Sequence, residues 1–305
     1  MVKIKFKAAT PEELEAQLAL QTFGNYFSAW ARKLPADADL TSEQERLPGF
    51  RGLMGGADPV PVQAPLRRGF LTLRAMQALP IARDSALATV ALYWAPVQAY
   101  YAVHGFGLAV IAALQLRPPE KHTTFRHVIS RNVITPLCPY PFSAMCSGIP
   151  RDPARTVFAS IGPEARDILS FNNLTLCNDN NAEHHIGKSL LTTRKWFLES
   201  KFDEMRHSGK KTKGRSRKNV PVAVQDRIAL ELPATTFVDW LYRLRVKTNY
   251  DSPDMFIFNY ASPESNREQY DNILRMVQGF KTVCTNILRR KLKKLDFEKL
   301  VKAGS

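Results

Sequence analysis

Residues Leu71–Leu116, LTLRAMQALPIARDSALATVALYWAPVQAYYAVHGFGLAVIAALQL, decide how the rest of the chain is read. Arg74, Arg83 and Asp84 are the charged residues of this stretch, and alanine, aliphatic and aromatic side chains fill most of the remainder. A helix that is apolar all round is buried rather than wetted on one face. The expectation is one long interrupted helix, or two helices, at the centre of an all-α core. Pro80 and Pro96 should kink or divide it, because proline removes an amide donor and crowds the turn before it. Gly105 and Gly107, beside His104, either permit a close helix crossing or are weak points in the helix. A membrane span is the competing reading of Ala86–Leu116. His104, Gln98, Pro96 and the tyrosine pair dilute that run and Arg83 and Arg117 bracket it, so a buried helix of a non-membrane protein is expected.

Working outward, Thr10-Pro11-Glu12-Glu13 is a strong helix start, with a capping hydroxyl, proline at the first position and acids at the positive end of the dipole. Leu14, Leu18, Phe23, Phe27 and Trp30 can form its apolar face. Pro35–Pro65, with PGF, MGGADP and VPVQAP, reads as a loop or linker holding one brief helical turn. Val2–Lys7 reads as an edge strand or an arm. Pro118-Pro119 ends the central element and Glu120–His127 opens a short helix. Ile134–Pro163 is proline-rich and irregular, Gly162–Leu174 resembles another short helix, and Leu190–Met205 returns to a helical pattern on Leu191, Trp196, Phe197 and Phe202. Ala223–Leu232 is ambiguous. Thr236 can cap Phe237–Val246, and Ser262-Pro263 can start a last long helix burying Tyr270, Ile273, Leu274, Val277, Phe280 and Ile287. The organisation expected is an N-terminal helix and linker (1–65), a first part of the helical core (66–134), an insertion with a basic loop (135–232), and a second part with a basic C-terminal helix (233–305).

The chain has 305 residues, is 45% hydrophobic and carries a net charge of +15. That allows one large domain or two of ordinary size, and favours an anionic partner, either nucleic acid or a membrane surface. A basic protein with solvated lysines is the plainer alternative. Cys138, Cys146, Cys177 and Cys284 are too sparse for a disulfide framework, and the amino terminus lacks an apolar signal segment, so a cytoplasmic location is expected.

The densest basic feature is Arg206, Lys210, Lys211, Lys213, Arg215, Arg217 and Lys218, with no acid among them. It reads as an exposed loop that neutralises phosphates and supplies affinity rather than sequence reading. A solvated loop, or one that meets an acidic protein or a membrane, is the alternative. His122 and His127 sit beside Lys121 and Arg126, which places a proton-exchanging group among cations suited to phosphate. Hydrogen bonding at a helix start is the plainer role for both. His104, inside the apolar stretch, reads as a core or interface histidine. Glu183-His184-His185 with the cysteines lacks a compact metal-ligand pair, and Gly187-Lys188-Ser189 lacks the first glycine of a phosphate loop. No metal and no cofactor are expected.

Three segments together resemble the HEPN superfamily, helical domains common in toxin–antitoxin and anti-phage systems. LYWAPVQAYYAVHGFGLAVIAAL is similar to that family's YYAAFHAARALL helix; Glu120-Lys121-His122-Thr123 with Phe125 is similar to its KTH-like turn; WLYRLRVKTNYD (240–251), followed by a long helix, is similar to its arginine, two residues, Ala-Asp-Tyr pattern. The resemblance covers about Arg67–Ile134 and Pro233–Leu295. It implies an all-α, HEPN-like bundle, association with RNA more than DNA, a homodimer or a protein partner, and a defence or toxin–antitoxin setting. Ribonucleases of the family place a histidine four to six residues after an arginine, with a tyrosine two positions beyond. Here Arg243 and Tyr250 match, but Thr248 stands in the histidine's place and cannot exchange a proton near neutral pH. In the non-nuclease pattern Arg245, Asn249 and Tyr250 match, with asparagine for aspartate. The resemblance implies that Lys121, Arg243, Arg245, Asn249 and Tyr250 build a pocket or interface. The alternatives are a divergent metal-independent ribonuclease drawing on His122, His127 and Arg245, or a structural subunit of a larger effector complex.

Overall fold

The computed structural model describes residues 10–81, 84–162, 167–208, 220–251 and 262–304. Val2–Lys7 lies outside them. The described chain is all-α in character, with one small sheet at its edge.

Helix α1 spans Pro11–Arg32, and the Thr10 hydroxyl accepts from the Glu13 amide at 3.2 Å, as the start signal predicts. Phe23, Phe27 and Trp30 are buried; Leu14 remains exposed. The expected linker is largely helical, which corrects the sequence reading: α2 spans Asp37–Arg46, α3 Pro48–Arg51, and α4 starts at Val60. The periodic signal was weak because α2 turns only Leu40 and Gln44 inward. The Gln44 amide is buried and donates to the carbonyls of Leu137 and Val283, replacing apolar packing with hydrogen bonds.

The central stretch forms α4 (Val60–Ala78) and α5 (Ser85–Ala113), divided near Pro80. Pro96 does not divide α5. It removes the donor that would meet the Leu92 carbonyl, yet the helix runs through it, packed between α4 and α11 (Pro263–Lys291). The α4–α5 crossing is close because it is made of glycine: a Cβ on Gly105 would lie 2.6 Å from the Gly69 amide nitrogen.

Helix α6 (His122–Ile129) continues through a π turn at Ser130–Ile134 into the short α7 (Thr135–Leu137). The sheet has β1 (Met145–Gly148) in the middle, with β2 (Thr156–Ala159) and β3 (Thr235–Thr236) on its sides; Cys146 faces Phe158 and Thr235. Of the short helix expected at Gly162–Leu174, the described part Asp167–Leu174 forms turns and no helix. Long α8 (Ala182–Ser208) and α9 (Val222–Glu231) follow, then α10 (Phe237–Val246) with its π turn at Lys247–Asp251, α11, and α12 (Lys294–Gly304).

One main core joins most of these elements, and Ile149, Leu198 and Ala229 form a second, small cluster under α9. In the main core Trp30 stacks on Trp240 at 5.5 Å, and Tyr100, Phe106, Phe142, Ile186, Leu190, Phe237 and Phe280 pack with them. Residues from 135–232 thus share the core with both flanking parts of the chain. Tyr270, Ile273, Val277, Phe280 and Ile287 of α11 are buried and Leu274 half-buried. All four cysteines are buried and free. Among the described residues no helix is long and apolar enough to cross a membrane.

Candidate functional site

Helices α5, α6 and α10 converge on a cluster of two arginines, two histidines and three tyrosines. Tyr100, Tyr101 and His104 occupy one turn of α5, while His122 is the first residue of α6. Tyr242 and Arg245 lie one turn apart on α10, so both face the same neighbours. The orientation of α10 is fixed locally: Thr236 and Asp239 form a reciprocal capping box.

The Tyr100 hydroxyl lies 2.9 Å from His122 Nδ1. The His122 ring centroid is 5.0 Å from that of His104 and 6.1 Å from that of Tyr101. Arg245 covers this group, its Cζ 5.2 Å from the Tyr101 ring, 5.5 Å from Tyr100 and 5.9 Å from Tyr242. Its Nε has no hydrogen-bond partner, and no carboxylate pairs with it among the described residues. Aromatic faces hold the cation without neutralising it.

Arg126, one turn along α6 from His122, is neutralised. It bonds Asp239 at 2.7 Å, both side chains being buried, and its guanidinium lies between the rings of Phe197 (4.1 Å) and Tyr242 (4.5 Å). Asp239 thereby caps α10 and anchors α6 at once. Beyond this pair is a cavity of about 340 Å³ lined by Arg126, His127, Arg194, Phe197, Lys201 and Asp239 among others. Arg194 is almost fully buried and donates to the carbonyls of Gly148, Ala229, Leu232 and Pro233. It binds β1, α9 and the connection between α9 and β3 to α8, and its donors are taken up by those carbonyls.

Protonation follows from these surroundings. Burial pushes the His104 pKa down to about 4, helped by the nearby charges of His122, Arg68 and Arg245. His122 is also lowered, first by burial and then by Arg245 and Arg126. His127 is lowered by partial desolvation and Arg126, against an opposing pull from Asp239. Burial raises the Tyr100 hydroxyl well above its ordinary range, so it stays protonated. A neutral imidazole whose Nδ1 is engaged by Tyr100 leaves Nε2 to exchange a proton or to bond a ligand, next to an unneutralised guanidinium.

The residues expected from sequence are placed as follows. His122 and Arg245 meet around Tyr100, Tyr101 and Tyr242. His127 is separate, on the cavity side of Arg126. Lys121 is exposed at the start of α6, beside Arg117 and Glu120. Arg243 faces away from Arg245 and donates to the Thr192 hydroxyl at 2.9 Å on α8. Thr248 is fully buried and its hydroxyl donates to the Leu244 and Arg245 carbonyls, so a histidine there would not reach this cluster without repacking. Asn249 is half-buried in the π turn; the side chain of Tyr250 lies outside the described residues. Of the basic stretch, Arg206 belongs to the last turns of α8, while its side chain and Lys210, Lys211, Lys213, Arg215, Arg217 and Lys218 lie outside them too.

His184 and His185 pack on Phe171 rather than on the cysteines, and no group of three His, Cys, Asp or Glu is placed to hold a metal ion among the described residues. Gly187-Lys188-Ser189 lies inside α8, with Lys188 Nζ on the Leu169 carbonyl at 2.8 Å. Sequence reasoning missed Tyr100, Tyr242, Phe197, Arg194 and Asp239. The spacing of Thr236 and Asp239 is a capping-box signal in the sequence; Tyr100, Tyr242 and Phe197 stand in segments whose pattern marks them only as aromatic positions, and Arg194 carries no signal.

Comparison of the chain with protein-family models, with curated proteins and with solved structures gives no match in any of the three.

Proposed function

We propose that this chain is a nucleic-acid-associated helical protein, favouring RNA over DNA, that meets phosphate through Arg245 and His122. The observation that carries the reading is Arg245 itself: a guanidinium laid over three tyrosine rings, without an acid partner among the described residues, next to a half-buried imidazole. A phosphodiester supplies the missing negative charge and acceptors in the form guanidinium matches best. The net charge of +15 and the basic 206–218 stretch support the same partner. A HEPN-like architecture, a cytosolic setting and a role in prokaryotic defence or a toxin–antitoxin pair belong to the proposal and rest on the three sequence segments alone.

A metal-independent ribonuclease is the second reading, favoured by the Tyr100–His122 hydrogen bond. With Nδ1–H donating to the Tyr100 oxygen, His122 would take the proton of the ribose 2′-hydroxyl through Nε2 as that oxygen bonds to phosphorus. The bond from phosphorus to the 5′-oxygen breaks, leaving a 2′,3′-cyclic phosphate and a 5′-hydroxyl protonated from water, while Arg245 meets the charge that grows on phosphate. The Thr248 position supplies no proton acceptor, so His122 is the group on which this reading depends.

Turnover and binding measured together on labelled RNA and DNA, with EDTA present, separate the two. Salt-sensitive binding without cleavage supports the binding protein. Cleavage in EDTA that is lost in His122→Ala supports the ribonuclease. No affinity for either polymer removes both.

A further inference from the structure

The cluster continues along α5 as an exposed aromatic face. Tyr101, whose ring is shared by Arg245 and His122, is 40% exposed, and Trp94 is 46% exposed. Two turns separate them, so they share one side of the helix about 10 Å apart at about 1.5 Å per residue. The opposite side of the same turns, Ala95, Ala99, Ala102, Val103 and Phe106, is fully buried. Large aromatic rings left in water on a helix whose other face is core need a partner with flat apolar surfaces, and the adjoining Arg245 requires that partner to be anionic.

We propose that the ligand is single-stranded nucleic acid, with unpaired bases stacked on Tyr101 and Trp94 and the adjoining phosphates on Arg245 and His122. This rests on the reading of the chain as nucleic-acid-associated and adds the strand state and the residues that select it. In a duplex the bases are already stacked on one another, so the backbone alone reaches a protein surface and the aromatic face finds nothing to cover it. In a single strand every base offers a π face, and stacking on aromatic side chains joins backbone charge neutralisation. An apolar protein segment would cover the rings but leave the guanidinium uncompensated.

The test is equilibrium binding of the full chain to a labelled single-stranded RNA, its duplex, and a base-free phosphodiester strand of the same length. Trp94→Ala, Tyr101→Ala and Tyr101→Phe are compared, each checked by thermal melting. The expected result is tighter binding of the single strand than of the duplex. Trp94→Ala and Tyr101→Ala each weaken single-strand binding by about tenfold, Tyr101→Phe retains it, and Trp94→Ala leaves affinity for the base-free strand unchanged. Because Trp94 is uncharged and lies two turns along α5 from Tyr101, its loss should leave the salt dependence unaltered.

Duplex bound as tightly as single strand, or alanine variants that keep wild-type affinity, would overturn the stacking proposal while leaving nucleic-acid association standing. A Trp94→Ala variant that changes the oligomeric state and not RNA affinity would also overturn it, and assign this face to a second copy of the chain. Wild-type protein that binds none of the three ligands would remove the broader reading as well.

Discussion

Tyr100 and His122 are joined by a 2.9 Å hydrogen bond beneath the guanidinium of Arg245, which lies 5.5 Å from the Tyr100 ring. Burial lowers the His122 pKa most, and Arg245 and Arg126 lower it further. Arg126 is balanced by Asp239; among the described residues no carboxylate balances Arg245. Arg245→Gln should therefore raise the His122 pKa towards its ordinary value, by removing a cation that opposes protonation. NMR titration of the His122 ring reads this directly. An unchanged or lowered pKa in the folded variant would mean that the two side chains do not interact.

The Arg126–Asp239 pair is the expected weak point of the fold. Both groups are buried, and Asp239 also accepts from the Thr236 amide at 2.9 Å. Asp239→Ala leaves a buried guanidinium without its counter-charge and removes a helix cap, so it should destabilise by about 3–5 kcal/mol. Denaturant unfolding gives the value. A loss under about 1 kcal/mol would show that the pair behaves as a solvated surface bridge.

Gly105 sets the spacing of α4 and α5. Alanine is the better helix former by about 1 kcal/mol, yet its Cβ would sit 2.6 Å from the Gly69 backbone nitrogen. Gly105→Ala should therefore destabilise, by about 1–3 kcal/mol. Gly52→Ala is the control, because a Cβ there meets its nearest atom at an ordinary 3.5 Å. Equal stability changes at the two sites would refute the close crossing.

Acid sensitivity should centre on His185, fully buried beside Tyr26 and Phe171. Burial pushes its pKa from 6.5 down to about 4. Above 6.5 the ring is neutral in folded and unfolded chains alike, and its contribution is fully present. As pH falls from 6.5 towards about 4, the unfolded chain takes up a proton that the folded chain refuses, and stability drops. The loss reaches about 3 kcal/mol, and His104 adds to it in the same direction. His185→Leu should flatten this acid limb in denaturant unfolding followed across that interval. An unaltered slope would assign the acid limb to other groups.

Local signals were legible in the sequence, and long-range pairings were not. Thr10, Thr236 and Ser262 announce helix starts because a cap needs only its own first turn. Helix α2 was hidden because its inward residues are Leu40 and a hydrogen-bonding Gln44, too few to make an apolar period. Pro96 signals a kink or a division, and chain-local rules cannot weigh the packing that carries α5 through it undivided. At the site, His122 and Arg245 each stood in a segment marked by composition, but their meeting depends on Tyr100, which looked like one more core aromatic. Arg243 and Arg245 invited one shared role. Two residues apart on a helix point to different faces, and the structure sends one to Thr192 and the other to the tyrosines.

The most direct test of the account is the salt dependence of RNA binding by Arg245→Gln against the wild-type chain, with folding of both verified by circular dichroism. If Arg245 meets a phosphate, the variant should bind more weakly, and the slope of log affinity against log salt should shrink by about one. A folded variant with unchanged affinity and an unchanged slope would contradict the account, and would move any RNA contact away from the Tyr100–His122 cluster.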